Sequence, residues 1–133
     1  MQIRILVADD AKFIRAAIRR VVEFRDEFVV CAEASDGAEA VAKALEWCPD
    51  VVVMDIRMPV MNGIDAAKIL ADKCPHTLVI ADSVHAYTEY FPELQRNGVK
   101  GFVPKDLIVT DLLPAIDEVL HGGTWFTGPP ERS

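Results

Sequence analysis

The length, composition and charge of the chain exclude several classes of protein before any motif is considered. Its 133 residues fit a single domain, and with 51% hydrophobic residues the chain is expected to fold around its own core. The formal net charge of -7 opposes direct binding to nucleic acids or anionic membranes, and no apolar run approaches the ~20 residues of a membrane-spanning helix. Three widely spaced cysteines and a beginning without a signal-peptide pattern favour a reducing cytoplasm.

Short apolar runs alternate with amphipathic stretches along the whole chain. The former are typical of buried parallel strands and the latter of helices packed on a sheet. In chain order the predicted elements are strand 3–8, helix 13–22, strand 28–34, helix 37–47, strand 51–54, helix 64–74, strand 77–82, helix 88–97, strand 101–104 and helix 110–121. Asp36 is expected to cap the second helix, and Pro114 fits the last helix only near its first turn.

Strands that alternate with helices predict a parallel sheet covered by helices on both faces. Right-handed crossovers leave few arrangements, and the most favoured is an α/β doubly wound sheet of five strands in the order 2-1-3-4-5, with five helices. In such sheets the functional crevice lies beyond the carboxyl ends of the strands, near the switch point between strands 1 and 3. The residues that follow the strands are therefore the candidates for a site.

Five polar residues stand at these strand ends: Asp9, Asp10, Asp55, Ser83 and Lys105. Clustered carboxylates repel one another, and a bound cation relieves that repulsion most simply. Oxygen donors without histidine or cysteine favour Mg²⁺, which keeps several waters and so leaves room for a phosphoryl group. Asp55 would then act as a nucleophile toward phosphorus, while Mg²⁺ and Lys105 neutralise charge on the transferring group.

Each of these residues also has an ordinary structural interpretation. An acidic residue at a strand end is usually part of a turn or a helix cap, so Asp10 could cap the first helix and Asp55 could start an Asx-turn. Lys105 could be solvated, and Ser83 alone carries no information. The functional interpretation depends on the predicted meeting of all of them at one edge of the sheet.

From about Gln2 to Gly122 the sequence resembles the receiver domain of two-component response regulators. The matching segments are ILVADD (5–10), VVVMDIRMPVMNG (51–63), Ser83 and GVKGFVPKD (98–106). The resemblance implies the flavodoxin-like form of the predicted sheet, with residues 1–122 as the receiver domain and residues 123–133 as a linker or tail. It also implies a cytoplasmic protein that is no turnover enzyme and only phosphorylates and dephosphorylates itself with Mg²⁺.

The family pattern implies a role for each matching position. Asp55 would be the phosphoacceptor and would receive its phosphoryl group from a sensor histidine kinase. Asp10 and Asp55 would bind Mg²⁺ through their carboxylates, together with the backbone carbonyl of Arg57. Asp9 would act mostly through metal-bound water.

On the phosphoryl side, Lys105 would contact the group and Ser83 would hydrogen-bond it. Phosphorylation adds charge and strong acceptors at Asp55. Ser83 would move toward the phosphate and Phe102 would turn inward. This would bias a surface formed by the fourth helix, fifth strand and fifth helix, and a homodimer is a possible result. Phe102 also has the plain interpretation of core packing.

Asp82, Val84 and Asp106 depart from the family pattern, and Asp106 stands where a proline frequently follows the lysine. Asp82 precedes Ser83 where the family usually has an apolar or small residue. Its side chain is expected either to meet solvent at the strand end or to lie partly buried with a raised pKa. Val84 and Arg57 are interpreted as features that lengthen the life of the phosphorylated state.

The Lys105-Asp106 pair and the ending LHGGTWF (120–126) are similar to the NarL/LuxR-type subgroup, whose output is a helix-turn-helix DNA-binding domain. No such domain follows Phe126. The chain is therefore expected to be either a receiver separated from a longer transcription factor or a stand-alone receiver that acts by protein contact. DNA binding is expected of a full-length protein only.

Three other functions fit the predicted sheet less well. A hydrolase of the haloacid-dehalogenase type needs a second aspartate two residues after its nucleophile, where this chain has Arg57. A nucleotide- or flavin-binding module is disfavoured because neither GxGxxG nor GxxxxGK[ST] occurs. A pseudo-receiver that acts only as an interaction domain is disfavoured because no site residue is missing.

Overall fold

A computed structural model describes residues 2–84 and 90–126, and within these ranges the chain forms one sheet flanked by helices. The strands are β1 (Ile3–Ala8), β2 (Phe28–Ala34), β3 (Val51–Asp55), β4 (Leu78–Ser83), β5 (Val99–Pro104) and β6 (Trp125–Phe126). The helices are α1 (Lys12–Val22), α2 (Gly37–Trp47), α3 (Gly63–Lys73), α4 (Phe91–Arg96) and α5 (Ile108–Leu120), with a 3₁₀ turn at Lys105–Leu107 before α5. No helix in these ranges is long and apolar enough to cross a membrane.

All strand pairs in the described ranges are parallel, and the order across the sheet is β2-β1-β3-β4-β5-β6. The α/β doubly wound fold and the order of the first five strands are confirmed, as are the five predicted helices. The predicted fourth helix begins among residues 85–89, which lie outside the described residues. The structure adds a short sixth strand, β6, in the segment predicted to be a linker or tail. Two residues are too few to show a strand period.

The sixth strand lies close against β5. Gly101 pairs with Trp125 and Phe102 pairs with Phe126. A Cβ atom on Gly101 would lie 2.9 Å from the carbonyl oxygen of Trp125, which is closer than side chains tolerate. The glycine therefore permits the two backbones to approach each other.

The sheet separates two apolar cores, because its strands are buried on both faces. Residues 5–8 of β1 are all fully buried, as expected for the near-continuous apolar run of a parallel strand. Successive side chains point to opposite faces, so Leu6 joins the core under α2, α3 and α4, whereas Val7 joins the core under α1 and α5. This packing on both sides fixes the positions of the strand ends.

Side-chain caps begin two of the helices. Asp36, predicted as a cap, accepts a hydrogen bond from the backbone N–H of Glu39 at 2.7 Å. Asn62 accepts a similar bond of 2.9 Å in the first turn of α3. The N-cap of α1 is Ala11, which has no side-chain bond to the helix, so the interpretation of Asp10 as a cap is wrong.

The expectation that Pro114 lies near the first turn of the last helix is wrong. α5 begins at Ile108 rather than near residue 110, so Pro114 falls in the middle of the helix. A proline there removes the hydrogen bond that would reach the carbonyl of Thr110. Thr110 and Pro114 are both exposed, so water can bind that carbonyl instead.

Candidate functional site

The carboxyl ends of four neighbouring strands carry most of the predicted site. Asp9 follows β1 directly, Asp55 ends β3, Ser83 ends β4 and Lys105 follows β5. These strands are parallel and adjacent, so their ends share one edge of the sheet. Asp9, Asp55 and Ser83 are buried, and only 12% of the Lys105 side chain is exposed. The structure therefore brings residues from distant parts of the sequence to one shielded place.

The ammonium group of Lys105 lies among three carboxylates. Its Nζ donates one hydrogen bond to Asp9 Oδ2 and another, of 3.1 Å, to Asp55 Oδ2. Oδ1 of Asp82 is 3.5 Å from the same nitrogen. The interpretation of Lys105 as a solvated lysine is wrong, because its ion pairs join the end of β5 to the ends of β1, β3 and β4.

Burial and charge oppose each other in this cluster. Burial alone would lower the pKa of Lys105, but the carboxylates of Asp82, Asp9 and Asp55 outweigh it and hold that pKa above its ordinary value. Burial raises the pKa of Asp55, and the nearby ammonium only partly offsets the rise. Lys105 is therefore charged, and the ionised form of Asp55 depends on the positive charge beside it.

Asp82 belongs to this cluster, although the sequence indicated it only as a departure from the family pattern. It is fully buried, so the solvent-exposed position considered for it is wrong. Burial raises the pKa of Asp82 to about 8, with Lys105 opposing the rise, in agreement with the alternative of a buried carboxyl. Carboxylate oxygens of Asp9, Asp55 and Asp82 lie within 4.8 Å of one another.

A signal for Asp82 was present in the sequence. Val51 of β3 pairs with Leu78 of β4, and in the same register Asp55 pairs with Asp82. Both strands thus consist of an apolar run that leads to an aspartate. Side chains at paired positions of neighbouring parallel strands point to the same face, so an alignment of these two runs predicts adjacent carboxylates.

The other oxygens of Asp9 and Asp55 bind the backbone of the loops that follow them. Asp55 Oδ1 accepts a hydrogen bond of 3.1 Å from the N–H of Arg57, so the Asx-turn considered for Asp55 is present. Asp9 Oδ1 accepts one of 2.9 Å from the N–H of Ala11. These bonds orient both carboxylates while their second oxygens bind Lys105.

Asp10 and Arg57 stand at the rim of the site rather than inside the cluster. Both are exposed, and both line a cleft of about 650 Å³ together with Met58 and Asn62. Asp10 adjoins Asp9 in the chain, and Arg57 is hydrogen-bonded to Asp55. The cleft therefore borders the buried carboxylates.

Gly63 allows the loop after β3 to fold back against Asp55. A Cβ atom at this position would lie 2.3 Å from the carbonyl oxygen of Asp55, which no side chain tolerates. The N–H of Gly63 donates a hydrogen bond of 2.8 Å to the carbonyl of Ile56. The glycine of the MNG segment is thus required by the close approach of this loop to the site.

Ser83 and Phe102 both lie where β4 pairs with β5. Phe102 is fully buried, and its ring centroid is 5.2 Å from that of Phe91, which in turn is 5.1 Å from that of Phe126. The described conformation of Phe102 is therefore the inward one, with ordinary core packing. Its role as a switch stays a prediction, as does that of Ser83.

The donor chemistry of the cluster fits a hard divalent cation. The available ligand atoms are carboxylate oxygens, and their separations suit one ion with oxygen ligands at roughly 2.0–2.6 Å. Neither carboxylate oxygen of Asp82 has a hydrogen-bond partner within residues 2–84 and 90–126. Acceptors of this kind in a shielded place are suited to a cation.

Comparison with known sequences identifies the family and shows how much of its relatives' length this chain covers. The model of the response regulator receiver domain matches residues 5–117. The transcriptional regulatory protein DegU of Brevibacillus brevis is 32% identical over 94% of this chain and 53% of its own length. LnrK of Bacillus subtilis, also a transcriptional regulatory protein, is 33% identical over 97% of this chain and 58% of its own length. The chain therefore spans little more than half the length of these relatives.

A solved structure supports the same assignment. A two-component response regulator of the LuxR family from Aurantimonas sp. SI85-9A1 has a TM-score of 0.89 and 30% identity, with 94% of this chain and 89% of that chain covered. A chain of the CheX-CheY-BeF3-Mg²⁺ complex from Borrelia burgdorferi has a TM-score of 0.83 and 26% identity, with 89% of each chain covered. The predicted similarity to the NarL/LuxR-type subgroup is confirmed by the first of these. With its sheet, its acidic cluster and the match over residues 5–117, the chain belongs to the response regulator receiver domain family.

Proposed function

We propose that Asp55 accepts a phosphoryl group from a sensor histidine kinase in a Mg²⁺-dependent reaction, and that this modification switches a surface that controls output. The observation that carries the proposal is the position of Lys105, whose Nζ contacts both Asp9 and Asp55 at the carboxyl edge of the sheet. A nucleophilic carboxylate, a fixed ammonium and further acidic groups are what phosphoryl transfer to a carboxylate needs in one place.

The atom that forms the new bond is a carboxylate oxygen of Asp55. It attacks the phosphorus of the phosphorylated kinase, an O–P bond forms, and the bond from phosphorus to the leaving group of the kinase breaks. Lys105 favours the ionised form of Asp55 against the effect of burial, and its charge also neutralises the arriving group. The Asx-turn through Arg57 keeps the carboxylate oriented.

Mg²⁺ would be held by the carboxylates of Asp10 and Asp55 and the backbone carbonyl of Arg57, with Asp9 acting through water. When bound, the ion supplies positive charge against the acidic groups and the phosphoryl oxygens. The cleft supports this arrangement because two of the proposed ligand residues, Asp10 and Arg57, line it together. The similar complex from Borrelia burgdorferi contains both Mg²⁺ and BeF3, which supports it by analogy.

Ser83 would hydrogen-bond the phosphoryl group, and Phe102 would respond within the core. The ring contact between Phe102 and Phe91 supports a change that reaches α4 as well as β5 and α5. A homodimer on phosphorylation is the proposed first result. Control of transcription is the proposed output, as the names of DegU and LnrK suggest. The helix-turn-helix domain that would exert it in a longer protein is what the resemblance to the NarL/LuxR-type subgroup implies. The proposed location is the cytoplasm, and no substrate is turned over apart from the chain's own phosphoryl group.

Incubation with acetyl phosphate and Mg²⁺, followed by intact-mass spectrometry, tests the proposal. The wild-type chain is expected to gain one phosphoryl group and Asp55→Asn to gain none. Asp106→Asn is the matched control, because it removes the same charge from an exposed position next to Lys105. It is expected to react as the wild type does. A wild-type chain that gains no phosphoryl group, or an Asp55→Asn variant that gains one equally well, would overturn the assignment.

The life of the phosphorylated state is tested in the same samples. Val84 directly follows Ser83, and Arg57 lines the cleft beside Asp10. We expect both residues to hinder attack by water, so that the phosphoryl group survives for much longer than seconds. Loss of the added mass within seconds in Mg²⁺ buffer would contradict this expectation.

A further inference from the structure

The buried carboxylate of Asp82 has no part in the function proposed above. It is the in-register neighbour of Asp55 and is fully buried. Asp9 and Asp55 each use one oxygen on a backbone N–H and the other on Lys105. Neither oxygen of Asp82 has a hydrogen-bond partner among the described residues, and its positively charged neighbour there, Lys105, is 3.5 Å away. Asp82 is thus a shielded acceptor directed at the cluster without a donor of its own.

We propose that Asp82 is a further carboxylate of the cation site. Four aspartates would then surround the ion in this chain: Asp9, Asp10, Asp55 and Asp82. The inference rests on the proposed Mg²⁺-dependent function. Its geometric basis is the approach of Asp82 to within 4.8 Å of the ligand atoms of Asp9 and Asp55, a separation that one ion can bridge. The family resemblance assigns no role to this position, where an apolar or small residue is usual.

A balance of charges supports the inference. The three buried carboxylates carry three negative charges when ionised, whereas Lys105 alone supplies one positive charge. Among these buried groups, a divalent cation beside the ammonium would make the positive charge equal to the negative charge. The fourth aspartate, Asp10, is exposed, and water screens its charge. Without Asp82, the same cation and ammonium would face only the two buried carboxylates of Asp9 and Asp55. The repulsion between the cation and the ammonium would then weaken cation binding.

The same carboxylate destabilises the folded protein when no cation is bound. A buried polar group without a hydrogen-bond partner lowers the stability of a folded protein. Removal of the Asp82 carboxylate should therefore stabilise the metal-free protein and weaken its binding of Mg²⁺. An aspartate with a purely structural role behaves differently, because its removal destabilises the metal-free fold.

The experiment compares the wild type with Asp82→Asn and Asp82→Ala in two measurements. Thermal unfolding in a chelator should show a Tm roughly 4 °C higher for Asp82→Asn, because its amide can donate to a neighbouring carboxylate. Isothermal titration with Mg²⁺ should show binding weakened roughly ten-fold or more in both variants. Asp106→Asn, which removes an exposed charge near Lys105, should match the wild type in both measurements.

Each outcome decides between the two roles. A lower metal-free Tm for both variants, or their failure to fold, would overturn the inference, because the carboxylate would then support the metal-free fold. Mg²⁺ binding that is tight in the wild type and equally tight in both variants would overturn the inference while leaving the proposed function intact. A wild-type chain that binds no Mg²⁺ would overturn the Mg²⁺-dependent function as well.

Discussion

Replacement of Lys105 by methionine tests the electrostatics of the site without any phosphorylation. Methionine keeps an unbranched apolar stem but removes the ammonium, so three carboxylates lose their shared counter-charge. Removal of one partner from a buried ion pair costs about 3–5 kcal/mol. This range applies to Lys105 because no side chain of the cluster is more than 12% exposed. Protonation of Asp55 and Asp82, whose pKa values burial already raises, should hold the loss near the lower end, at about 3 kcal/mol.

Urea unfolding at neutral pH, followed by circular dichroism, measures this loss. At a slope of about 2 kcal/mol per molar urea, the midpoint should fall by about 1.5 M. Lys100→Met is the matched control, because Lys100 is an exposed lysine of the same strand, and its loss should stay within about 0.5 kcal/mol. If Lys105→Met were no less stable than Lys100→Met, the view that the ammonium holds the cluster together would be refuted.

Three changes elsewhere in the chain have defined outcomes. Arg25 donates two hydrogen bonds to Asp117 and lowers its pKa, so the pair stabilises the fold above the ordinary pKa of an aspartate and ceases to do so as the pH falls through the lowered value. Asp117→Asn should therefore reduce the free energy of unfolding at neutral pH by about 0.5 kcal/mol, since both side chains are partly exposed, and by less in acid. Val60 is exposed with a φ of 69°, so Val60→Gly should raise the free energy of unfolding by about 0.5–1 kcal/mol. Gly63→Ala should lower it by about 2 kcal/mol and slow phosphorylation by acetyl phosphate, because the added Cβ displaces the backbone of Asp55.

Urea unfolding over a range of pH measures the effect of Asp117→Asn, and urea unfolding at neutral pH measures that of Val60→Gly. For Gly63→Ala, urea unfolding measures the stability and mass spectrometry measures the rate of phosphorylation. An Asp117→Asn loss that is equal at all pH values would contradict the ion-pair explanation. A destabilised Val60→Gly variant would show that the backbone at residue 60 is not strained. Wild-type stability and rate in Gly63→Ala would show that the loop moves aside without affecting Asp55.

The sequence alone predicted that the site residues lie near one another, because parallel strands end at a common edge of the sheet. Asp9, Asp55 and Lys105 each follow an apolar run, and this places them at that edge whatever the register of the strands. The contacts among them depend on register, which no single run reveals. For this reason the sequence leaves open whether Asp82 is exposed or buried, whereas the pairing of β3 with β4 places it beside Asp55.

The features that the sequence did not predict have tertiary causes. β6 has only two residues, and it is held by its pairing with β5 and by the contact of Phe126 with Phe91. The start of α5 at Ile108 follows from the 3₁₀ turn that begins at Lys105, a residue fixed by the carboxylates of other strands. Neither effect leaves a local pattern that a periodicity or a propensity could detect.

The sixth strand also affects how this domain behaves when it is cut from a longer chain. Without β6, the six-residue strand β5 would form the outer border of the sheet and would present unpaired N–H and C=O groups to other molecules. Such a border is a template for strands of neighbouring copies, so a fragment that ends at Gly122 should be prone to aggregate. A fragment that continues through Phe126 keeps the cover and should stay dispersed.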